Sequence, residues 1–408
     1  MHTLQHFTID TRSTHSMKNF KYLKVLVTFA HFICLFPITI NIRKNGLNYN
    51  FTKKCYFLRM VLIDLLIVGC ILKHIFNILM KNVTLNDVVF IFCSAPIIIT
   101  ILDIEILGYV NKAKFGKLLI NLYTINYNFK ESERNDYVSL LQLVFVFCYF
   151  IYLFTVYYIY YSVHEASIIN FGYTLAKFMI FTSTCIYTNL LRIIEADFSK
   201  LNHLLSGTEN LDLVLPIYSQ LVFMCKKINK LYGHQLLLTI LTYLIWTIYE
   251  MYHLAILWSC TSTNCPRFLI MLALSYTVIQ EVMLFTILWN CQNTRVASED
   301  FKAIWYSILI KKADSFCKKK LENYSLQLIN HRVVFTAMGL YVLNMEHFFS
   351  VKCSIQSESL LNDILFPVAG FISDFDCDIN SIQYFCLMAR CLNTLIFYYH
   401  ISTYEYSI

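Results

Sequence analysis

Six long apolar runs alternate with polar connections along this chain. They cover roughly residues 55–76, 85–110, 137–160, 171–191, 235–258 and 268–289. A helix needs about 20 apolar residues to cross the hydrocarbon core of a bilayer. The pattern therefore predicts an all-α integral membrane protein with six clear spans. The connections after the first, third and fifth runs are short. Two others, at about residues 192–234 and 292–334, are long and keep a helical period. Leu201, Leu204, Leu205, Leu211 and Val214 mark it in one, and Phe301, Ile304, Trp305, Ile308 and Leu309 in the other. The last three of the six spans should therefore continue as long helices into the cytoplasm and pack together there. Ahead of the first span, the run 25–40 follows Lys18, Lys21 and Lys24 in the manner of a signal peptide. Pro37 interrupts it, no small-residue cleavage site follows, and Arg43, Lys44, Lys53 and Lys54 come next. A helix packed under the membrane or dipping into it is expected instead, with Met17 as an alternative start.

Basic residues orient the bundle. The stretch before the first span holds Arg12, Lys18, Lys21, Lys24, Arg43, Lys44, Lys53 and Lys54; the next connection holds only Lys81. The third holds Lys112, Lys114, Lys117, Lys130 and Arg134, and the fourth holds none. Arg192, Lys200, Lys226, Lys227 and Lys230 follow, then Arg267 alone, then a stretch with Arg295, Lys302, Lys311, Lys312, Lys318, Lys319, Lys320 and Arg332. Cytoplasmic loops retain positive charge, so the N-terminus is cytoplasmic. Asn82, in the sequon Asn82-Val83-Thr84, then lies outside and is the candidate glycosylation site, whereas the sequons at Asn50 and Asn323 lie inside.

Composition agrees. The 408 residues are 57% hydrophobic and 14% charged, with mean hydropathy +0.54, against about 25% charged in soluble domains. The net charge of +7 sits in the inner loops, where anionic lipid attracts it, and gives no sign of a nucleic-acid partner. Most of the 15 cysteines lie inside apolar runs and serve as small hydrophobes. Cys260 and Cys265 flank an outer loop and are the pair that could be bridged. No Cys/His cluster has metal spacing, and no GxSxG, HExxH or phosphate loop is present. The chain reads as neither an enzyme nor a cofactor protein.

Candidate chemistry lies in the spans. Ionisable residues are costly there and mark either function or structural pairing: Asp64, Asp103, Glu105, Lys177, Glu250 and Glu281. Aromatics gather near the outer ends, among them Tyr157, Tyr158, Tyr249 and Tyr252. They suit an interfacial belt or the wall of a pocket for a small organic ligand.

The most specific string begins Ser325-Leu326-Gln327-Leu328 and runs through Phe335-Thr336-Ala337-Met338-Gly339 to Phe349-Ser350. It resembles the stretch leading into the last helix of insect gustatory receptors, with Leu326, Gln327 and Leu328, then Phe335, Thr336 and Ala337, then Phe349 and Ser350 matching that family's motif. Tyr22-Leu23-Lys24 and Leu35-Phe36-Pro37 resemble its opening. Physically, Leu326, Leu328, Val333 and Val334 give an apolar face beside Gln327, Asn330 and Arg332, which suits a short helix at the inner surface. Gly339 allows a turn or a close approach. The resemblance covers about residues 18–350. It implies a seven-helix bundle, a ligand-gated cation channel detecting small tastant molecules, a tetramer with like or related subunits, and a plasma-membrane location in sensory neurons. It also implies a ligand pocket entered from outside, for which Tyr157, Glu250, His253, Tyr276 and Gln280 are the candidate lining.

The expected organisation is a cytoplasmic N-terminal segment (1–54), a transmembrane bundle with cytoplasmic extensions (55–350), and an atypical tail (351–408). The tail opens Lys352-Cys353-Ser354 and carries Asp363, Asp374, Asp376 and Asp378 where the family has an apolar pore helix. Its apolar run 382–401 has Arg390 near the middle, a costly position. Other classes fit less well. An odorant-receptor-type channel shares the architecture. A G-protein-coupled receptor would reverse the charge pattern and carry Asp-Arg-Tyr after the third span, which is absent. A transporter built on broken helices is disfavoured by only 9 Gly and 5 Pro.

Overall fold

A computed structural model describes residues 18–35, 37–43, 46–51, 54–80, 85–128, 137–164, 167–207, 211–259, 267–311, 325–326, 328 and 332–345. The elements are α1 (Lys18–Phe32), β1 (Ile38–Arg43), β2 (Gly46–Phe51), α2 (Lys54–Leu79), α3 (Leu85–Val110), α4 (Lys112–Asn128), α5 (Tyr137–His164), α6 (Ser167–Gly207), α7 (Leu211–Ser259), α8 (Arg267–Lys311), β3 (Thr336–Ala337) and β4 (Tyr341–Val342). Each of the six apolar runs lies within a helix: α2, α3, α5, α6, α7 and α8. Among the described residues, Phe90–Val110 is long and apolar enough by itself to cross a membrane, with mean hydropathy 2.2. The glycosylation candidate Asn82, the cysteines Cys260 and Cys265, the basic run beyond Lys311, Gln327, Phe349, Ser350 and the tail lie outside the described residues.

Helices α6, α7 and α8 contain 41, 49 and 45 residues. At about 1.5 Å per residue they measure roughly 60–75 Å, about twice the hydrocarbon thickness. They are long enough to continue well past a membrane span, and the three helices pack on one another. Pro96 and Pro216 sit inside α3 and α7 without ending them.

At the centre stands α6, packed by α1, α2, α3, α5, α7 and α8. From Phe178 to Leu191 every residue is buried. Such a helix must satisfy its own polar groups inside the protein. Thr182, Thr184 and Thr188 donate back to the carbonyls of Phe178, Ile180 and Thr184 at 2.9, 3.0 and 3.1 Å. Asn189 Nδ2 donates to Gln142 Oε1 of α5 at 2.6 Å, and Gln142 Nε2 donates to Thr188 Oγ1 at 3.1 Å. Gln235 of α7 donates to Ser183.

Two features are absent from the hydropathy pattern. Between α1 and α2 the chain forms an antiparallel hairpin, Ile38 opposite Phe51 and Arg43 opposite Gly46. Ile38, Ile40 and Leu47 are buried, and Asn41, Asn48 and Asn50 are exposed, as a strand period of two requires. The run 25–40 is therefore helix α1 followed by a strand. The second is the motif region. A short amphipathic helix is expected there; among the described residues Ser325, Leu326 and Leu328 are helical, and residues 332–335 belong to neither helix nor strand. Val333 and Phe335 are buried while Val334 is exposed, again a period of two, and β-branched valines favour it. β3 and β4 then pair, Thr336 with Val342 and Ala337 with Tyr341, about a turn where Met338 and Gly339 have φ of 58° and 77°. This hairpin is fastened to α7. Thr336 N donates to Asn229 Oδ1 at 2.9 Å, and Asn229 Nδ2 donates to Thr336 Oγ1 at 3.0 Å. One turn along, a Cβ at Gly233 would sit 3.2 Å from Met338 N, so glycine permits the close approach.

Asn126 of α4 donates to Asp197 Oδ1 of α6 at 2.7 Å, and Lys200 Nζ lies 3.7 Å from the same oxygen. Asp197 is fully buried, and its Oδ2 meets no hydrogen-bond partner. Burial pushes its carboxyl up to about 7 from 3.8, with Lys200 and the Asn126 hydrogen bond opposing the rise.

Two outcomes follow. Asn229→Ala removes both hydrogen bonds from the hairpin, at about 1–3 kcal/mol of local stability. Amide hydrogen exchange at Thr336 should accelerate by about fivefold or more; unchanged exchange would show that the clamp carries no local stability. Asp197 binds its proton more tightly folded than unfolded. Its contribution to stability is therefore full below about pH 4 and is lost as pH rises through 7. The melting temperature should fall between pH 6 and pH 8, and Asp197→Asn should flatten that slope. An equal slope in the variant would assign it to another group.

Candidate functional site

A cavity opens among α3, α5, α6, α7 and α8, near the middle of the spans. Helical spacing builds its walls. From α6 come Lys177, Ile180 and Phe181, at intervals of three and four that place them on one face. Thr242, Tyr243 and Trp246 repeat the spacing on α7, and Ile279, Gln280 and Met283 on α8. Ile97 of α3 and Tyr149 of α5 complete it. The space is narrow, a cavity of about 20 Å³. Met283, with its flexible thioether, is an adaptable part of the wall.

Aromatic packing fixes the floor. Trp246 lies edge-on to Tyr249 at 4.9 Å between ring centroids, and to Phe90 at 6.4 Å. Tyr149 and Phe181 are 4.2 Å apart. Lys177 Nζ stands 3.9 Å from the centroid of the Trp246 ring, where the ring quadrupole attracts a cation. Thr242 Oγ1 and Thr100 Oγ1 share a hydrogen bond of 2.7 Å that joins α7 to α3. Thr247 Oγ1 donates to Gln280 Oε1 at 3.3 Å. The Trp246 indole N–H is buried and meets no acceptor.

Of the candidate lining residues, Gln280 borders this cavity. Tyr157, Glu250 and Tyr276 belong to α5, α7 and α8, and His253 to α7; their side chains lie outside the described ones. Glu250 is one helical turn outward from Trp246, and Tyr276 one turn outward from Gln280. The α3 and α6 walls were not among the candidates. Their signal in the sequence is Lys177, an ionisable residue followed at helical spacing by Ile180 and Phe181 inside an apolar run.

The other intramembrane acids sit elsewhere. His234 Nδ1 of α7 donates to Asp103 Oδ1 of α3 at 2.7 Å, near the inner ends of both spans. Glu105 is buried beside Asp64 of α2. These are inter-helix contacts well inward of the cavity. Among the described residues, no group of His, Cys, Asp or Glu could hold a metal ion.

Comparison with known proteins places this architecture. The fold is similar to that of the insect olfactory receptor OR5 from Machilis hrabei in complex with eugenol, with a TM-score of 0.58 at 13% identity over 83% of this chain and 96% of that one. The structure of OR5 without that ligand gives 0.59 at 10% identity, over 83% and 97%. No curated protein sequence matches the chain. The family model for the 7tm chemosensory receptors matches residues 23–357. With that match over most of its length, the chain is a member of the 7tm chemosensory receptor family.

Proposed function

We propose that the protein is a subunit of a ligand-gated cation channel of the gustatory-receptor type, which detects small tastant molecules. The observation that carries the reading is the cavity. Five helices converge on aromatic and aliphatic walls with a few polar groups, the composition expected of a small-molecule site. The resemblance of Leu326–Leu328, Phe335–Ala337 and Phe349–Ser350 to the gustatory motif favours taste. Subunits, like or related, assemble as a tetramer about a central pore in the plasma membrane of sensory neurons. In this reading the segment 1–54 lies in the cytoplasm, 55–350 forms the receptor bundle, and 351–408 replaces the usual pore helix. An odorant-gated channel is the second reading, favoured by the likeness in fold to OR5.

Ligand binding opens such a channel only if the open arrangement binds more tightly. Filling the cavity should therefore abolish the response without removing the protein from the surface. In cells expressing the chain, a panel of tastants and volatile odorants should evoke cation currents. Met283→Trp should raise the half-maximal concentration by at least about tenfold at an unchanged surface level. Equal sensitivity in the variant would place the stimulus elsewhere. A response confined to volatiles would favour the odorant reading.

Topology has its own check. With a cytoplasmic N-terminus, Asn82 carries glycan, and Asn82→Gln should remove the glycosidase-sensitive mass shift. Loss of the shift on Asn50→Gln instead would invert the bundle.

A further inference from the structure

The hydrogen-bonding capacity around the cavity is one-sided. Trp246 offers a donor only, its indole N–H, shut off from solvent and without an acceptor. Lys177 brings an ammonium, also donor only, to the face of the same ring. Gln280 has an amide nitrogen, while its oxygen already accepts from Thr247. Two wall hydroxyls are engaged across helices: Thr242 with Thr100 and with the Pro96 carbonyl, and Tyr243 with Thr184. A buried donor left unmet is costly, and a ligand that meets it recovers that cost as affinity. A ligand that adds a further donor recovers nothing, and a cationic one meets the Lys177 ammonium.

From this we infer the chemical class of the stimulus: a small, largely apolar molecule presenting a hydrogen-bond-accepting oxygen, such as a ketone, aldehyde or ester, which the Trp246 indole N–H receives. The inference rests on reading the cavity as the stimulus site. Trp246 suits the task because its position is over-determined. It is held edge-on by Phe90, Tyr173 and Tyr249, so the ring that carries the N–H needs little further ordering. Selectivity of this kind is strong, since a site built to give a hydrogen bond discriminates against an isostere that lacks the partner.

The test uses the full chain in lipid nanodiscs and reads binding by equilibrium dialysis, independent of current. Three ring-matched probes suffice: acetophenone (acceptor), ethylbenzene (neither) and 1-phenylethylamine (donor and cation). Wild-type protein should bind acetophenone at least about tenfold more tightly than either of the others. Trp246→Phe keeps an aromatic ring and removes the N–H. It should bring acetophenone to within about threefold of ethylbenzene; measurable ethylbenzene binding shows that the cavity is intact. Wild-type protein that prefers ethylbenzene or the amine overturns the inference, whatever the variant does. So does a Trp246→Phe protein that keeps the ketone preference. If none of the probes binds, the cavity is not the stimulus site and both readings fall together. Ketone-selective binding without any evoked current supports this inference and sinks the channel alone.

Discussion

A helix buried on every side governs this molecule. Over Phe178–Leu191, α6 has no face toward lipid or water, so each of its polar side chains must find a partner within the protein. The threonines bond back to their own helix, while Ser183, Asn189 and Tyr187 are met by Gln235, Gln142 and Cys291 from α7, α5 and α8. In lipid such contacts help hold helices together, because apolar burial gives little preference for protein over acyl chain. They fix the rotation of α5 and α7 about α6. The rotation in turn decides which side chains of those helices reach the cavity.

Around this pole the helices divide by environment. α2, α3 and α5 expose large apolar residues, among them Leu65, Leu72, Phe92, Ile106 and Ile151. On a soluble protein such a surface would demand a partner; across the span of a bilayer it meets lipid. Beyond the membrane the same helices α6–α8 pack around Phe198, Tyr218, Phe301 and Trp305. Tyr218 and Phe301 stack there at 4.2 Å, and Trp305 donates to Ser325. Burial there also raises the Tyr218 hydroxyl to about 12, so it stays a neutral hydrogen-bonding group toward Ser298.

The helices were legible because their signal is local and long. Runs of apolar residues give spans, periodic leucines give the cytoplasmic extensions, and lysines give orientation. The two hairpins were not legible. β1 begins inside a run whose apolar content suits either helix or strand, β2 lies beyond that run, and Ile38, Ile40 and Leu47 betray the shorter period. Residues 332–342 were expected to begin as helix. Val333, Val334 and Phe335 prefer extended backbone, and the partner that stabilises them, Asn229, lies over a hundred residues earlier in the chain. The site was legible in part for the same reason. Gln280 and Lys177 stand out as polar residues in apolar runs. Trp246, Ile180 and Met283 look like ordinary core, and their convergence depends on helix rotation that no single helix encodes.

The continuity of α7 ties these regions together. Trp246 on the cavity and Asn229 at the motif hairpin are on one uninterrupted helix, 17 residues apart by their numbers, or about 26 Å along the axis. No proline lies between them; Pro216 is on the far side of Asn229. One continuous helix therefore joins the wall of the cavity to the Asn229–Thr336 clamp. The hairpin in turn leads toward Phe349-Ser350 and the C-terminal segment. The motif by which the chain resembles taste receptors is thus fastened to the helix that supplies the wall of the cavity. That attachment gives a physical reason for the motif's residue types: Thr336 supplies both a backbone donor and a side-chain acceptor for one amide, and Gly339 makes the turn that lets Ala337 and Met338 close onto Gly233.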